Sequence, residues 1–159
     1  LLETVDRRVP VDKLDEFSFE ANPATFTEKK VRFWRSLGMT RVSLGVQSLD
    51  SGILRLLGRE HTPDPALRSV EMLKNAGMPH INMDLMFAIP GQPLSIWEAT
   101  LKEAVRAGTD HISAYNLTYE EDTEFFRSLL RGEKRQDPDE DAAYFALAEQ
   151  MLAGAGMRL

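Results

Sequence analysis

The chain has 159 residues, enough for one globular domain and fewer than the roughly 250 of a complete eight-stranded β/α barrel. Hydrophobic residues make up 43% and charged residues 28%, a soluble globular balance, and the net charge of -6 leaves no basic face for nucleic acid or an anionic membrane. The chain has no cysteine, which removes disulfides, thiolate nucleophiles and cysteine-ligated metal clusters from this stretch.

The first residues, LLETVDRRVP, do not read as a signal peptide, and no apolar run reaches the roughly 20 residues of a membrane span, so a cytoplasmic protein is expected. Four short runs rich in β-branched and apolar residues read as strands: Glu16–Glu20, Arg41–Val46, Ile81–Phe87 and His111–Leu117. Helical stripes lie between them, formed by Val31, Trp34 and Leu37, by Ala66, Val70, Leu73 and Gly77, and by Trp97, Leu101, Ala104 and Val105. Thr27 is placed to cap the first helix, Gly38, Gly77 and Gly108 stand just past helix ends, and Ser95 with Glu98 forms a capping-box pattern.

Beyond the fourth strand, Asp122–Leu130 and Asp139–Ala155 read as helices, the second with Phe145, Ala148, Met151, Leu152 and Ala155 on one face, and the charged loop Gly132–Asp137 joins them. Strands alternating with helices mean β/α crossovers and a parallel sheet, in an open sheet or a barrel. The first residues read as the tail of a helix and GAGMRL as a helix stop before a strand, so further sequence is expected on both sides.

In parallel β/α folds ligands bind at the carboxyl ends of the strands, which gives the polar residues there a functional prior. Glu20, in EANP, is suited to ribose hydroxyls or an ammonium, or else to a neighbouring arginine or a backbone amide. Gln47, in GVQS, follows a glycine that permits close backbone approach; it suits a nucleobase edge or a carboxylate, or a simple loop hydrogen bond. Arg59, in LGREH, offers a fork for a carboxylate or forms a solvated pair with Glu60, and His61 reads as a loop hydrogen-bonding residue. Asp84 sits among Met83, Leu85, Met86 and Phe87 and needs a partner, because burying it unpaired would cost several kcal/mol. Pro90–Gly91 reads as a type II turn, and Asn116 and Thr118 end the fourth strand as ligand contacts or turn formers.

Taken in order and spacing, EANP, GVQS, LGREHT, MDLMFAIPGQP and HISAYNLT resemble the radical S-adenosylmethionine family that contains oxygen-independent coproporphyrinogen III oxidase and the heme chaperone. The resemblance covers roughly Phe17 to Phe126 and implies an α/β fold: four strands of a partial parallel (β/α) barrel of the radical SAM type, followed by C-terminal helices. Residues 1–135 would belong to the barrel and 136–159 to a helix leading into a further region. It implies that Glu20, Gln47, Arg59 and Asp84 contact S-adenosylmethionine and that Thr118 lines the same region, with no catalytic or metal-ligating residue in this stretch. It implies a [4Fe-4S] cluster ligated by cysteines outside these residues, whose reduction of S-adenosylmethionine yields methionine and a 5'-deoxyadenosyl radical. Heme is a further implied ligand, its site also outside the stretch.

LGREH, PGQ and SAYNLT look like the heme chaperone branch, with heme-acceptor proteins as partners. The oxidase, which decarboxylates porphyrinogen propionates, is the alternative, and a metal-dependent barrel hydrolase or aldolase using Glu20 and Asp84 is the reading outside the family. The stretch alone is expected to be inactive.

Overall fold

The computed structural model describes residues 10–117 and 138–158. A 3-10 turn at Val11–Lys13 precedes β1 (Ser18–Ala21), α1 (Glu28–Ser36), β2 (Arg41–Gln47), α2 (Ser51–Leu56), α3 (Pro63–Asn75), β3 (His80–Phe87), α4 (Leu94–Ala107), β4 (His111–Asn116) and α5 (Pro138–Gly154). The four strands pair in parallel in the order β1-β2-β3-β4. A doubly wound open sheet would reverse its strand order at a switch point, whereas strands laid down in chain order are the winding of a β/α barrel. The structure therefore decides the choice that periodicity left open, in favour of the barrel.

Side-chain alternation gives the sheet two unlike faces. Val42, Leu44 and Val46 of β2 and Ile81, Met83, Leu85 and Phe87 of β3 are buried in one core with Val31 of α1, Ala66, Val70 and Leu73 of α3, and Trp97, Leu101 and Ala104 of α4. Gly45 and Met86 apart, the alternating positions are polar: Ser18 and Glu20, Arg41 and Ser43, Asn82 and Asp84, then His111, Ser113 and Tyr115. Trp34 of α1 closes the β1 side, its ring 4.5 Å from Phe19 and 5.3 Å from Phe26.

The expected helix starts and stops hold in most places. Thr27 accepts a hydrogen bond from the backbone N–H of Lys30 at 3.4 Å, and Gly108 ends α4 at φ 64 where a methyl group would stand 3.0 Å from Lys74 Nζ. The Ser95 capping box does not form. The backbone of Pro93, extended at φ -67 and ψ 147, starts α4 two residues earlier, its carbonyl accepting from Ile96 N–H at 2.9 Å, so Ser95 lies within the first turn.

The face of α5 also differs from expectation. Tyr144, Ala148 and Leu152 are buried and Phe145 is 54% exposed, because Trp97 Nε1 donates to the Tyr144 carbonyl at 3.0 Å and the Tyr144 hydroxyl donates to the carbonyl of Gln92. Those bonds turn Tyr144, not Phe145, toward the sheet. The expected helix Asp122–Leu130 and loop Gly132–Asp137 lie outside the described residues.

Trp97 has no exposed surface, stacks on Phe87 at 5.6 Å and holds α5 by its indole N–H. Trp97→Ala is expected to lower the unfolding free energy by about 3–5 kcal/mol, whereas Phe33→Ala, at an exposed position of α1, changes it by less than about 0.5 kcal/mol. Urea denaturation of both variants measures the difference.

Candidate ligand-binding site at the strand ends

The carboxyl ends of the strands converge on one pocket of about 780 Å³, lined by Glu20, Asn22, Gly45, Gln47, Arg59, Asp84 and Tyr115 with Phe19, Ala21, Thr25, Lys30 and Trp34 at its β1 side. Four of the five expected site residues, Glu20, Gln47, Arg59 and Asp84, thus share a single cavity, although they are spread over 65 positions of sequence. Thr118, the fifth, lies outside the described residues.

Asp84 finds the partners its position demands. Ser43 Oγ donates to Oδ2 at 2.7 Å and Asn82 Nδ2 donates to Oδ1 at 2.7 Å. Asn82 Nδ2 also reaches Ser43 Oγ at 2.6 Å, while its Oδ1 accepts from His111 Nδ1 at 2.7 Å and Ser113 Oγ at 3.2 Å. Because both amide protons face Ser43 and Asp84, the Asn82 oxygen must face His111, which requires the proton on Nδ1. The register makes this possible: Ser43 pairs with Asn82, Asn82 with His111 and Asp84 with Ser113. A ladder of polar side chains therefore crosses three strands on one face. Both oxygens of Asp84 keep a free lone pair, and both donors holding it are neutral.

Gln47 is placed by an irregularity of β2. Leu44 pairs with Met83, yet Gln47 pairs with Leu85, so β2 carries one extra residue and Gln47 stands where Val46 would otherwise be. Gln47 adopts φ 69, in the left-handed region, at a strain of about 1–3 kcal/mol for a non-glycine residue. Its Oε1 accepts from the Tyr115 hydroxyl at 2.8 Å. Burial pushes the Tyr115 phenol above its ordinary value, with the charge of Asp84 adding to the rise, so the phenol keeps its proton at neutral pH.

Arg59 follows α2 and its C-terminal glycine, Gly58, at φ 67. Among the described residues no ion pair joins Arg59 to Glu60, to Glu20 or to Asp84; the salt bridges there are the surface pairs Arg32–Glu28, Arg41–Glu16, Lys102–Glu98 and Arg106–Glu103. His61 makes the loop bond expected of it, Nε2 to the Val46 carbonyl at 3.1 Å. Gly91 at φ 78 and the Gln92 N–H bond to the Ile89 carbonyl at 2.8 Å form the expected type II turn. No group of three or more His, Asp or Glu side chains converges as a metal-ligand set among the described residues.

Sequence reasoning missed Tyr115 as a pocket residue and missed Ser43, Asn82, His111 and Ser113 as the support of Asp84. The signal was present as period-two polar residues at 82 and 84 and at 111, 113 and 115, alternating with apolar ones. What was lacking was the register that aligns them.

A parallel sheet wound in chain order, with helices on one face and a pocket of unpaired charges of both signs at its carboxyl ends, is the architecture of a β/α-barrel protein, and its pocket stands where such folds place their ligands. Residues 1–104 match the Radical SAM superfamily, and the chain belongs to it. Within that superfamily it is similar to proteins named HemW. It is 33% identical to the heme chaperone HemW of Lactococcus lactis over 98% of this chain and 41% of the relative, and 34% identical to HemW of Escherichia coli over 98% of this chain and 40% of the relative. A mitochondrial radical S-adenosyl methionine domain-containing protein 1 of Danio rerio is 36% identical over 90% of this chain and 32% of its own length. The coproporphyrinogen III oxidase HemN of E. coli superposes with a TM-score of 0.77 at 21% identity, covering 90% of this chain and 33% of that one, which shows the shared fold. The chain thus spans about a third to two fifths of the length of these relatives. Superfamily membership implies S-adenosylmethionine and a [4Fe-4S] cluster. Among the described residues no helix is long and apolar enough to cross a membrane.

The shifted phenol is directly measurable. The near-ultraviolet pH titration of the wild-type protein minus that of Tyr115→Phe is expected to show one phenol ionising above the ordinary tyrosine value of 10.0. A difference curve centred at or below that value contradicts the placement of Tyr115.

Proposed function

We propose that the pocket binds S-adenosylmethionine through Glu20, Gln47, Arg59 and Asp84, with Thr118 as a further contact, and that the intact protein is a HemW-like heme chaperone. The observation that carries the reading is the coexistence, in one pocket, of an arginine and two carboxylates that form no ion pairs with one another. Unpaired charges of both signs suit a ligand that itself carries both signs. S-adenosylmethionine has a carboxylate for the Arg59 fork, and an ammonium and ribose hydroxyls for Glu20 and Asp84. Gly45 leaves its approach open, since a side chain there would meet Gln47 and Asn22.

When bound beside a reduced [4Fe-4S] cluster, S-adenosylmethionine supplies a 5'-deoxyadenosyl radical. The residues of this chain bind and orient it. With no cysteine among its 159 residues, the chain leaves the cluster to ligands it does not contain. Heme is the proposed cargo and heme-acceptor proteins the proposed partners, a reading supported by the HemW names of relatives that align over nearly all of this chain. Oxidation of coproporphyrinogen III is the second reading, favoured only by the HemN fold match. The proposed compartment is the cytoplasm; the mitochondrial name of the zebrafish relative makes the mitochondrion the alternative.

Calorimetry on the full-length protein tests the site. Arg59→Ala removes a charge-assisted fork and is expected to weaken S-adenosylmethionine binding by about 10- to 100-fold; unchanged affinity sinks the assignment. The 159-residue chain alone, reconstituted with iron and sulfide, is expected to develop no cluster absorbance in the visible and to leave S-adenosylmethionine uncleaved. Cleavage by the isolated chain would refute the division of labour proposed for it.

A further inference from the structure

Gln47 alone among the described side chains of the pocket stands on a left-handed backbone, and its amide is gripped at one end. Tyr115 lies two strands away, on β4, and reaches across β3 to donate to Oε1 at 2.8 Å. The other end of the amide, Nε2, lies over Gly45, where a methyl group would stand 3.2 Å from it. Gln47 is 6% exposed, and its Nε2 has no hydrogen-bond partner among the described residues. Gly45 lines the pocket, so the open space above it is ligand space.

We propose that Tyr115 is a positioning residue for this pocket: by occupying Oε1 it fixes the Gln47 amide with Nε2 toward the ligand, so that Gln47 serves as a hydrogen-bond donor. An amide can present a donor or an acceptor by turning half a revolution, and at this position the difference decides what is bound. Glu20 and Asp84 already supply acceptors. A donor beside Arg59 instead addresses an acceptor atom of the ligand, such as a carboxylate oxygen, a ring nitrogen or a ribose oxygen. The phenol is suited to the task because it stays protonated at neutral pH; phenylalanine would fill the same space and leave Oε1 without its donor. The identity of the ligand used below rests on the S-adenosylmethionine reading; the Tyr115–Gln47 clamp does not.

The test is a double-mutant cycle on the full-length protein, with S-adenosylmethionine titrated into wild type, Tyr115→Phe, Gln47→Leu and the double variant. Tyr115→Phe is expected to weaken binding about 2- to 12-fold, the span of one neutral hydrogen bond, and to add less than about twofold in the Gln47→Leu background. Unchanged affinity in Tyr115→Phe, or its full effect repeated in the Gln47→Leu background, overturns the proposal. A second measurement needs no ligand. The Gln47 side-chain amide signals in a glutamine-labelled NMR spectrum, assigned by their loss in Gln47→Leu, are expected to move in Tyr115→Phe, and signals that stay in place overturn the clamp. Wild-type protein that binds no S-adenosylmethionine sinks the ligand reading by itself, and the amide signals then decide the clamp.

Discussion

An ionised carboxylate inside a parallel sheet is costly unless donors reach it, and Asp84 is reached by Ser43 from β2 and by Asn82 from its own strand. The choice of neutral donors governs the rest of the pocket. A lysine or arginine in their place would hold Asp84 equally well and cancel its charge. Serine and asparagine hold the carboxylate still and leave its charge to act on the pocket. Asn82 is in turn saturated by His111 and Ser113, so the constraint extends across β4 and fixes which polar residues the inner face must carry.

The same inner face explains what could be read from sequence and what could not. Strand positions were legible because β-branched runs alternate with amphipathic helices, and each observed strand lies within two residues of its expected bounds. Glu20 and Gln47 were legible as polar residues at strand ends, Asp84 as an acid within an apolar strand and Arg59 as a loop residue above the strand ends, by a rule of the fold rather than of any pair among them. The partners of Asp84 were not, since Ser43 and Asn82 become neighbours only through the β2–β3 register, nor was the placing of Gln47, which depends on an extra residue inserted after Leu44. Local pattern carries no information on that insertion. The Ser95 capping box failed for a related reason: a side-chain motif competes with whatever backbone start the preceding residue offers, and Pro93 offers an earlier one. On α5, Tyr144 and Phe145 are both aromatic and adjacent, so periodicity alone could not choose between them. The hydrogen bonds to Trp97 and Gln92 made the choice.

Unpaired charges and a strained Gln47 all detract from stability, and they are gathered at one end of the sheet. The opposite face offsets them. Leu44, Met83, Leu85, Trp97 and Leu101 are fully buried on the helix side, and each such side chain contributes about 1.5–3 kcal/mol relative to exposure. Mounting Glu20 and Asp84 on strands that are rigid for this reason keeps the two carboxylates in place. Arg59 stands apart from them, in the loop that follows α2 and Gly58.

Helix α5 extends this rigidity to the last strand. Asp141, in its first turn, accepts from Asn116 Nδ2 at 2.7 Å, and Tyr144, one turn on, is bonded to both Trp97 and the carbonyl of Gln92 after the Pro90–Gly91 turn. One helix thereby ties the end of β4 to the loop that leaves β3. Tyr115 precedes Asn116 directly, so the anchor that fixes Asn116 also fixes the direction from which the phenol approaches Gln47. Strand β2 supplies the amide, β3 the carboxylate and β4 the hydroxyl. Their mutual geometry is therefore set by strand register and one helix contact, before any ligand arrives.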